Sequence, residues 1–270
     1  MDDDVGVDDV ITKFLLNTTR LRPRLTKYKV DAALACGFTA SDNPRNDEVR
    51  SVPLSSGSVA EFYIEPMFQP CFGDVDIMYH YNADLAVPRG HSPPTQLPDE
   101  FHVDHVHVLE IIDSQFPGYV YLEARYILEK CSDGDTFDAF VYDGGQVIVP
   151  NNLFRLDVNK NVSVEEVHGP AQQVSGVGPI KNDYVPCVRC LLWPTQAADW
   201  PTRHRTYEWP DSATVGRVVS DGCDLVGVAH RECRQDEWMG THQWRLSFSR
   251  AEIVLINSWM PLQQIVYHLL

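Results

Sequence analysis

Two aspartates one residue apart, set among apolar neighbours in Asp74-Val75-Asp76-Ile77-Met78, constrain this chain more than any other feature. β-branched and aromatic content over Val75–Tyr79 predicts a strand. Strand side chains alternate faces, so both carboxylates point the same way while Val75 and Ile77 point into a core. Two acids side by side on such a face repel each other and resist ionising. Either the face is solvated, or a divalent cation relieves the repulsion, since hard oxygen ligands suit magnesium. The residues alone leave both readings open.

The rest of the chain offers further strands and helices. Glu61–Ile64 reads as a strand forming a hairpin with Val75–Tyr79, and the proline-rich stretch from Leu85 to Glu100 reads as loop. His102–Ile112 alternates polar and apolar residues, with Gly118–Arg125 as its expected partner and Cys131–Asp135 as a turn. Val167–Val177, Tyr184–Leu192 and Trp244–Phe248 are further strands, Pro186 pushing the second toward an edge or bulge. Helices are expected over Asp8–Arg22, Gly145–Val167 and Ser212–Val219, with another opening at the capping box Ser249-Arg250-Ala251-Glu252. Pro261 interrupts that last helix and Leu262–Leu270 begins another. Residues Trp193–Trp209 are irregular.

Composition narrows the function classes. Hydrophobic residues make up 44% of the 270, enough for a sizeable core. Acidic residues outnumber basic ones 38 to 22, for a net charge of −16, which excludes a generally basic, phosphate-coating protein. A local basic segment survives in Arg20, Arg22, Arg24, Lys27 and Lys29, with a smaller group at Arg203–Arg205. It is either a nucleic-acid surface or a solvated helix end. No apolar run approaches the roughly 18 residues of a membrane span, and the acidic start Met1–Asp4 is unlike a secretory signal. The expected location is the cytoplasm, or else the nucleus, with reduced thiols: the seven cysteines are odd in number and scattered.

Other motifs stand beside the acids. Gly57-Ser58 forms a turn able to present backbone amides and a hydroxyl to a phosphate, or is an ordinary loop. A two-metal site needs a third carboxylate; Asp183, just before an apolar strand, is placed to supply it, although spacing alone does not single it out. Cys187-x-x-Cys190 has a zinc-like spacing, but on a strand that offset sends the thiols to opposite faces. Cys223 and Cys233 read as core cysteines that could approach across a loop. His102, His105 and His107 read as a strand surface, and the tryptophans at 193, 200, 209, 238 and 244 as packing corners.

The strings GS…DVD, HGPAQ, NDYVPCVRCLLWP, ADWPTRHR and WRLSFSRAE, taken in order, resemble the Mab twenty-one family of metazoan nucleotidyltransferases, which includes cyclic GMP-AMP synthase and its related receptors. The likeness runs from about Val52 to Leu270. It implies an α+β nucleotidyltransferase fold, a mixed β-sheet core flanked by helices, with a largely truncated C-terminal helical lobe. On that basis residues 1–50 are an N-terminal helix and linker, 51–248 the nucleotidyltransferase core, and 249–270 the start of the helical lobe. The family's catalytic metal ligands match Asp74, Asp76 and Asp183, implying magnesium or manganese. Its phosphate-holding pair matches Gly57 and Ser58, and its base and ribose segment matches Arg245, Ser247, Ser249 and Glu252. Partners implied are ATP, GTP or other ribonucleotides, and double-stranded RNA or DNA gripped by the N-terminal basic segment. The product would be a cyclic or linear dinucleotide made with release of pyrophosphate, an innate immune signal. The alternative is a catalytically inactive relative acting as a scaffold or developmental interaction protein. The loop between Gly57-Ser58 and Asp74 is longer than the family's usual form, and the zinc thumb of the vertebrate synthase has no counterpart.

Overall fold

The computed structural model describes residues 51–57, 75–101, 103–153, 164–175, 181–206, 209–234, 236–260 and 263. Among these, ten strands form one sheet: β1 (Ser51–Ser56), β2 (Val75–Pro88), β3 (His105–Asp113), β4 (Tyr119–Lys130), β5 (Phe137–Val141), β6 (Val164–His168), β7 (Ala171–Ser175), β8 (Lys181–Cys190), β9 (Cys223–Val226) and β10 (Trp244–Ser247). Three helices accompany it: α1 (Ser212–Asp221), α2 (Trp238–His242) and α3 (Ser249–Asn257). The mixture is α+β, as expected.

The strand pairing closes on itself. The order runs β2-β3-β4-β10-β9-β8, and β8 pairs back onto β2 in parallel. All six strands of this ring send side chains to one buried cluster: Ala86, Leu109, Leu122, Trp244, Leu225 and Val188 are representatives. The core therefore lies inside the ring. Each fully buried aliphatic side chain stabilises it by about 1.5–3 kcal/mol. Trp244 keeps its polar atom satisfied there, the indole Nε1 donating to the Val149 carbonyl at 3.1 Å. A second cluster, with Leu85, Val87, Phe101, Val106 and Leu128, joins β2, β3 and β4 to the segment before β3. Beyond the ring, β1 extends the sheet from the first half of β2, and the β6–β7 hairpin extends it from the first half of β8.

Several expectations need correction. The expected Gly145–Val167 helix does not form where residues are described. Ala124 and Leu122 bond to Val147 and Val149, so that segment runs extended beside β4, and Val164–His168 is strand. The triplet Val147-Ile148-Val149 is β-branched, and the residue before Pro150 is driven out of helical space. Val167–Val177 is not one strand: Gly169, at φ +61, and Pro170 form a two-residue turn between β6 and β7. β2 continues through Leu85–Pro88, expected as loop, because Leu85, Ala86 and Val87 are buried. Ser55 and Ser56, directly before the expected Gly57-Ser58 turn, end β1, which is the described antiparallel neighbour of β2. Pro186 lies in an interior strand, at the gap where the pairing of β8 with β7 ends at Tyr184 and that with β9 begins at Cys187. The capping box is not used: Phe248 is the N-cap of α3, with no side-chain cap bond, because the helix leaves β10 without a turn. β5 was not anticipated. The segments Asp8–Arg22, Glu61–Ile64 and nearly all of Leu262–Leu270 lie outside the described residues. Among those described, no helix is long and apolar enough to cross a membrane.

Candidate functional site

The parallel junction of β2 and β8 sets Asp76 and Asp183 directly opposite one another. Neighbouring strands lie about 4.8 Å apart, so the two carboxylates leave the same face side by side. The row extends both ways: Ser56 of β1 is the register partner of Asp76, and Gln173 of β7 that of Asp183. Ser56 Oγ donates to the Asp76 carbonyl at 3.3 Å, and Gln173 Nε2 donates to Asp183 Oδ1 at 3.4 Å. Both acids are half-buried, while Ser56 and Gln173 are buried.

Gly57 follows Ser56 at φ +64, a conformation that favours glycine. A Cβ there would lie 2.1 Å from Asp76 Oδ2 and 2.9 Å from its Cγ. The missing side chain leaves the space that the Asp76 carboxylate occupies. The end of β1 is thus packed on the acid by the absence of one atom.

Two hard carboxylates facing each other on one side of a sheet are suitable donors for magnesium or manganese. No three His, Cys, Asp or Glu side chains form a complete ligand set among the described residues. Asp74, the expected third ligand, and Ser58 lie outside them.

The register also relates the base and ribose candidates to the acids. His80 of β2 partners Cys187, Cys187 partners Val226, and Val226 partners Arg245. Cross-strand partners share a face, and Asp76 precedes His80 by an even number of residues, so Arg245 faces outward with Asp76. Arg245 is exposed. Ser247 Oγ lies 3.8 Å from the sulfur of Met78, two residues along from Asp76, and 3.2 Å from Ser249 Oγ. Glu252 is exposed in the first turn of α3.

A buried polar layer lies on the same outer face. Asp224 of β9 is 0% exposed and accepts a 2.8 Å bond from Arg250 Nε. Arg189 donates to the carbonyls of Cys190 and Cys223, at 2.8 and 2.9 Å, and to that of Asp221 at the end of α1, where a cation complements the helix dipole. Burial lowers the Arg189 guanidinium, and Arg250 adds to this. Burial also acts against the Arg250 charge, but Asp224 outweighs it and holds the group above its ordinary value. His80 stacks on Phe101 at 5.5 Å, and burial takes it from about 6.5 down to about 4, so it is neutral at pH 7. Burial pushes the Cys187 thiol up.

Other candidates separate from this site. Cys187 faces outward and Cys190 into the ring, which ends the zinc reading of that pair. Cys223 is the register partner of Cys190, not of Cys233, whose Sγ instead approaches Gln243 Oε1 at 3.4 Å. His105 and His107 are exposed on one face, His107 3.5 Å from Asp84; His102 is not described. Trp193 packs on Trp200 and Phe248, and Trp209 on Trp259, as corners should. Trp238 departs from that pattern, at 53% exposed. Arg203 binds Asp199, and Arg205 is spent on three backbone carbonyls and the Trp200 ring, so this group offers little to a phosphate. The basic segment Arg20–Lys29 lies outside the described residues.

Sequence reasoning missed Ser56 and Gln173. The only signal for Gln173 was its position one residue beyond the HGPAQ string.

Among curated proteins, none matches the chain. Residues 142–258 match the family model described as the Mab-21 protein nucleotidyltransferase domain. The match takes in Asp183, Gln173, Arg245 and α3, while Gly57 and Asp76 precede it. Over residues 142–258, then, this chain is similar to the nucleotidyltransferase domain of the Mab-21 family.

Proposed function

We propose that the chain joins ribonucleoside triphosphates into a cyclic or linear dinucleotide, in a metal-dependent reaction that releases pyrophosphate. The observation that carries this reading is the register pairing of Asp76 with Asp183 beside the Cβ-free turn at Gly57. Asp76 and Asp183, with Asp74, would hold magnesium or manganese. When bound, such ions stabilise the charge that develops on the α-phosphate and the departing pyrophosphate. Asp183 orients the attacking ribose hydroxyl and draws on its proton. The hydroxyl oxygen bonds to the α-phosphorus as the bond to the pyrophosphate oxygen breaks. Gly57 and Ser58 hold the triphosphate through backbone amides and a hydroxyl. Arg245 presents a planar guanidinium to a base, and Ser247, Ser249 and Glu252 meet base and ribose edges.

In this reading residues 51–248 form the catalytic core and 249–270 open a helical lobe. Arg20, Arg22, Arg24, Lys27 and Lys29 supply the contact for a double-stranded nucleic-acid activator, and the product serves as an innate immune signal in the cytoplasm. The test is incubation with radiolabelled ATP and GTP, magnesium or manganese, and long duplex RNA or DNA. A labelled dinucleotide that disappears in Asp76→Asn and Asp183→Asn is expected. No product, together with no thermal shift by any nucleotide and metal, would leave the scaffold account standing.

A further inference from the structure

The Ser247–Glu252 segment, to which the reading above assigns base and ribose contacts, leaves the ring at the end of β10, and its first helical turn is tied back to β9 by a charged bond from a residue with no part in the reading. Arg250 sits between Ser249 and Glu252 in the first turn of α3. Its Nε donates to Asp224 Oδ2 at 2.8 Å, and the side chains are 17% and 0% exposed. Asp224 is the register partner of Ser247, so the bond ties the first turn of the helix back to the level at which the preceding strand ends.

The alternatives for Asp224 are few. Its Oδ1 has no hydrogen-bond partner among the described residues. Arg189, its register partner across β8 and β9, spends its terminal nitrogens on backbone carbonyls. Arg250 is the cation bonded directly to this carboxylate, Arg189 adding only the attraction of its nearby charge, and a charge-assisted bond in so dry a setting has a narrow geometry. A simple core contact would be met by any apolar side chain of similar volume. An ion pair that could be so replaced, often without loss of stability, fixes a position more than it adds stability.

We propose that Asp224 and Arg250 are positioning residues, a buried ion-pair clamp that sets the Ser247–Glu252 segment in the place required to receive a nucleotide. The substrate claim within this rests on the function proposed above; the clamp itself does not.

The test uses the whole chain with three changes: Arg250→Met, Arg250→Lys, and the pair Asp224→Asn with Arg250→Met. Arg250→Met alone leaves a buried unpaired carboxylate and is expected to lower the Tm. The double change removes both charges and is expected to restore most of that Tm. Yet amide hydrogen exchange over residues 247–252 should stay faster than in the wild type, and KM for the triphosphate about tenfold higher, with kcat changed less. Arg250→Lys should recover part of the KM. Slow exchange and a wild-type KM in the double variant would overturn the clamp and leave a merely structural pair. If the wild type neither binds nor turns over nucleotide, the functional reading fails, and the exchange rates still decide the clamp.

Discussion

Asp76 and Asp183, more than a hundred positions apart in the chain, meet as direct register partners across a parallel pair. Two like charges directly opposite one another on a sheet repel. Changing either to asparagine should raise the metal-free Tm, by an amount equivalent to about 1 kcal/mol or less. The same change should remove at least about 100-fold of any transfer activity. Magnesium should raise the Tm of the wild type and not that of the variants. A calorimetric scan with and without the ion, alongside the labelled-nucleotide assay, measures all three.

Gly57→Ala should destabilise by about 1–3 kcal/mol, because φ +64 is strained for alanine and the new Cβ meets the Asp76 carboxylate. The two causes separate in a double-mutant cycle. In an Asp76→Ala background the contacts with Oδ2 and Cγ disappear and only the 3.1 Å approach to the Cβ remains, so the cost should shrink mostly to the backbone part. Urea midpoints of the four proteins give the coupling directly.

Gln173→Leu should leave the fold intact and weaken manganese binding by about 10–100-fold. The amide that orients the Asp183 carboxylate is lost, while the volume is nearly kept. Isothermal titration with manganese reads this without any turnover. An unchanged dissociation constant would show that the Gln173 bond is incidental.

His80 predicts a pH dependence. Buried and neutral when folded, it titrates at about 4, against about 6.5 when the chain is unfolded. Between those values the unfolded state binds more protons, so stability rises with pH across that window, by about 3 kcal/mol in total. Above pH 6.5 its contribution is complete. His107 acts in the opposite sense: the bond to Asp84 raises its pKa, so its contribution is present at low pH and fades as pH rises through the raised value. Urea denaturation from pH 4 to 8 should show the first trend, and His80→Phe should flatten it.

The sequence made some parts of this molecule readable and not others, for reasons visible in the fold. The β3–β4 hairpin announced itself through the alternation that opens β3, where His105 and His107 are exposed between the buried Val106 and Val108; beyond it Leu109–Ile111 are buried in succession and the alternation is lost. The start of α1 was expected at Ser212 and lies there, the Asp211 side chain accepting from the Thr214 N–H at 2.6 Å, while the helix runs to Asp221, two residues past the expected end. By contrast, the helix expected over Gly145–Val167 competed with pairing to β4, a long-range contact that local spacing does not encode. Of the candidate site, Asp76 stood out in the Asp74-Val75-Asp76 pattern, while Asp183 was singled out only by the resemblance. Their meeting, and the roles of Ser56 and Gln173 at either end of the row, depend on which strands lie next to each other. Asp224 and Arg250 were legible only as ordinary charges, since burial is a property of the assembled ring.

The strand pairing has a mechanical consequence for the two acids. Asp76 and Asp183 meet just beyond the closed ring, where β1 and β7 take the places of β3 and β9 beside β2 and β8, so ladder bonds on both outer sides hold each acid's strand in register. The gap between them is therefore stiff. Any switch that turns such a centre on must work by recruiting and aligning what enters it, through the attached β1 and β7 wing or the α3 segment, and not by spreading the pair apart.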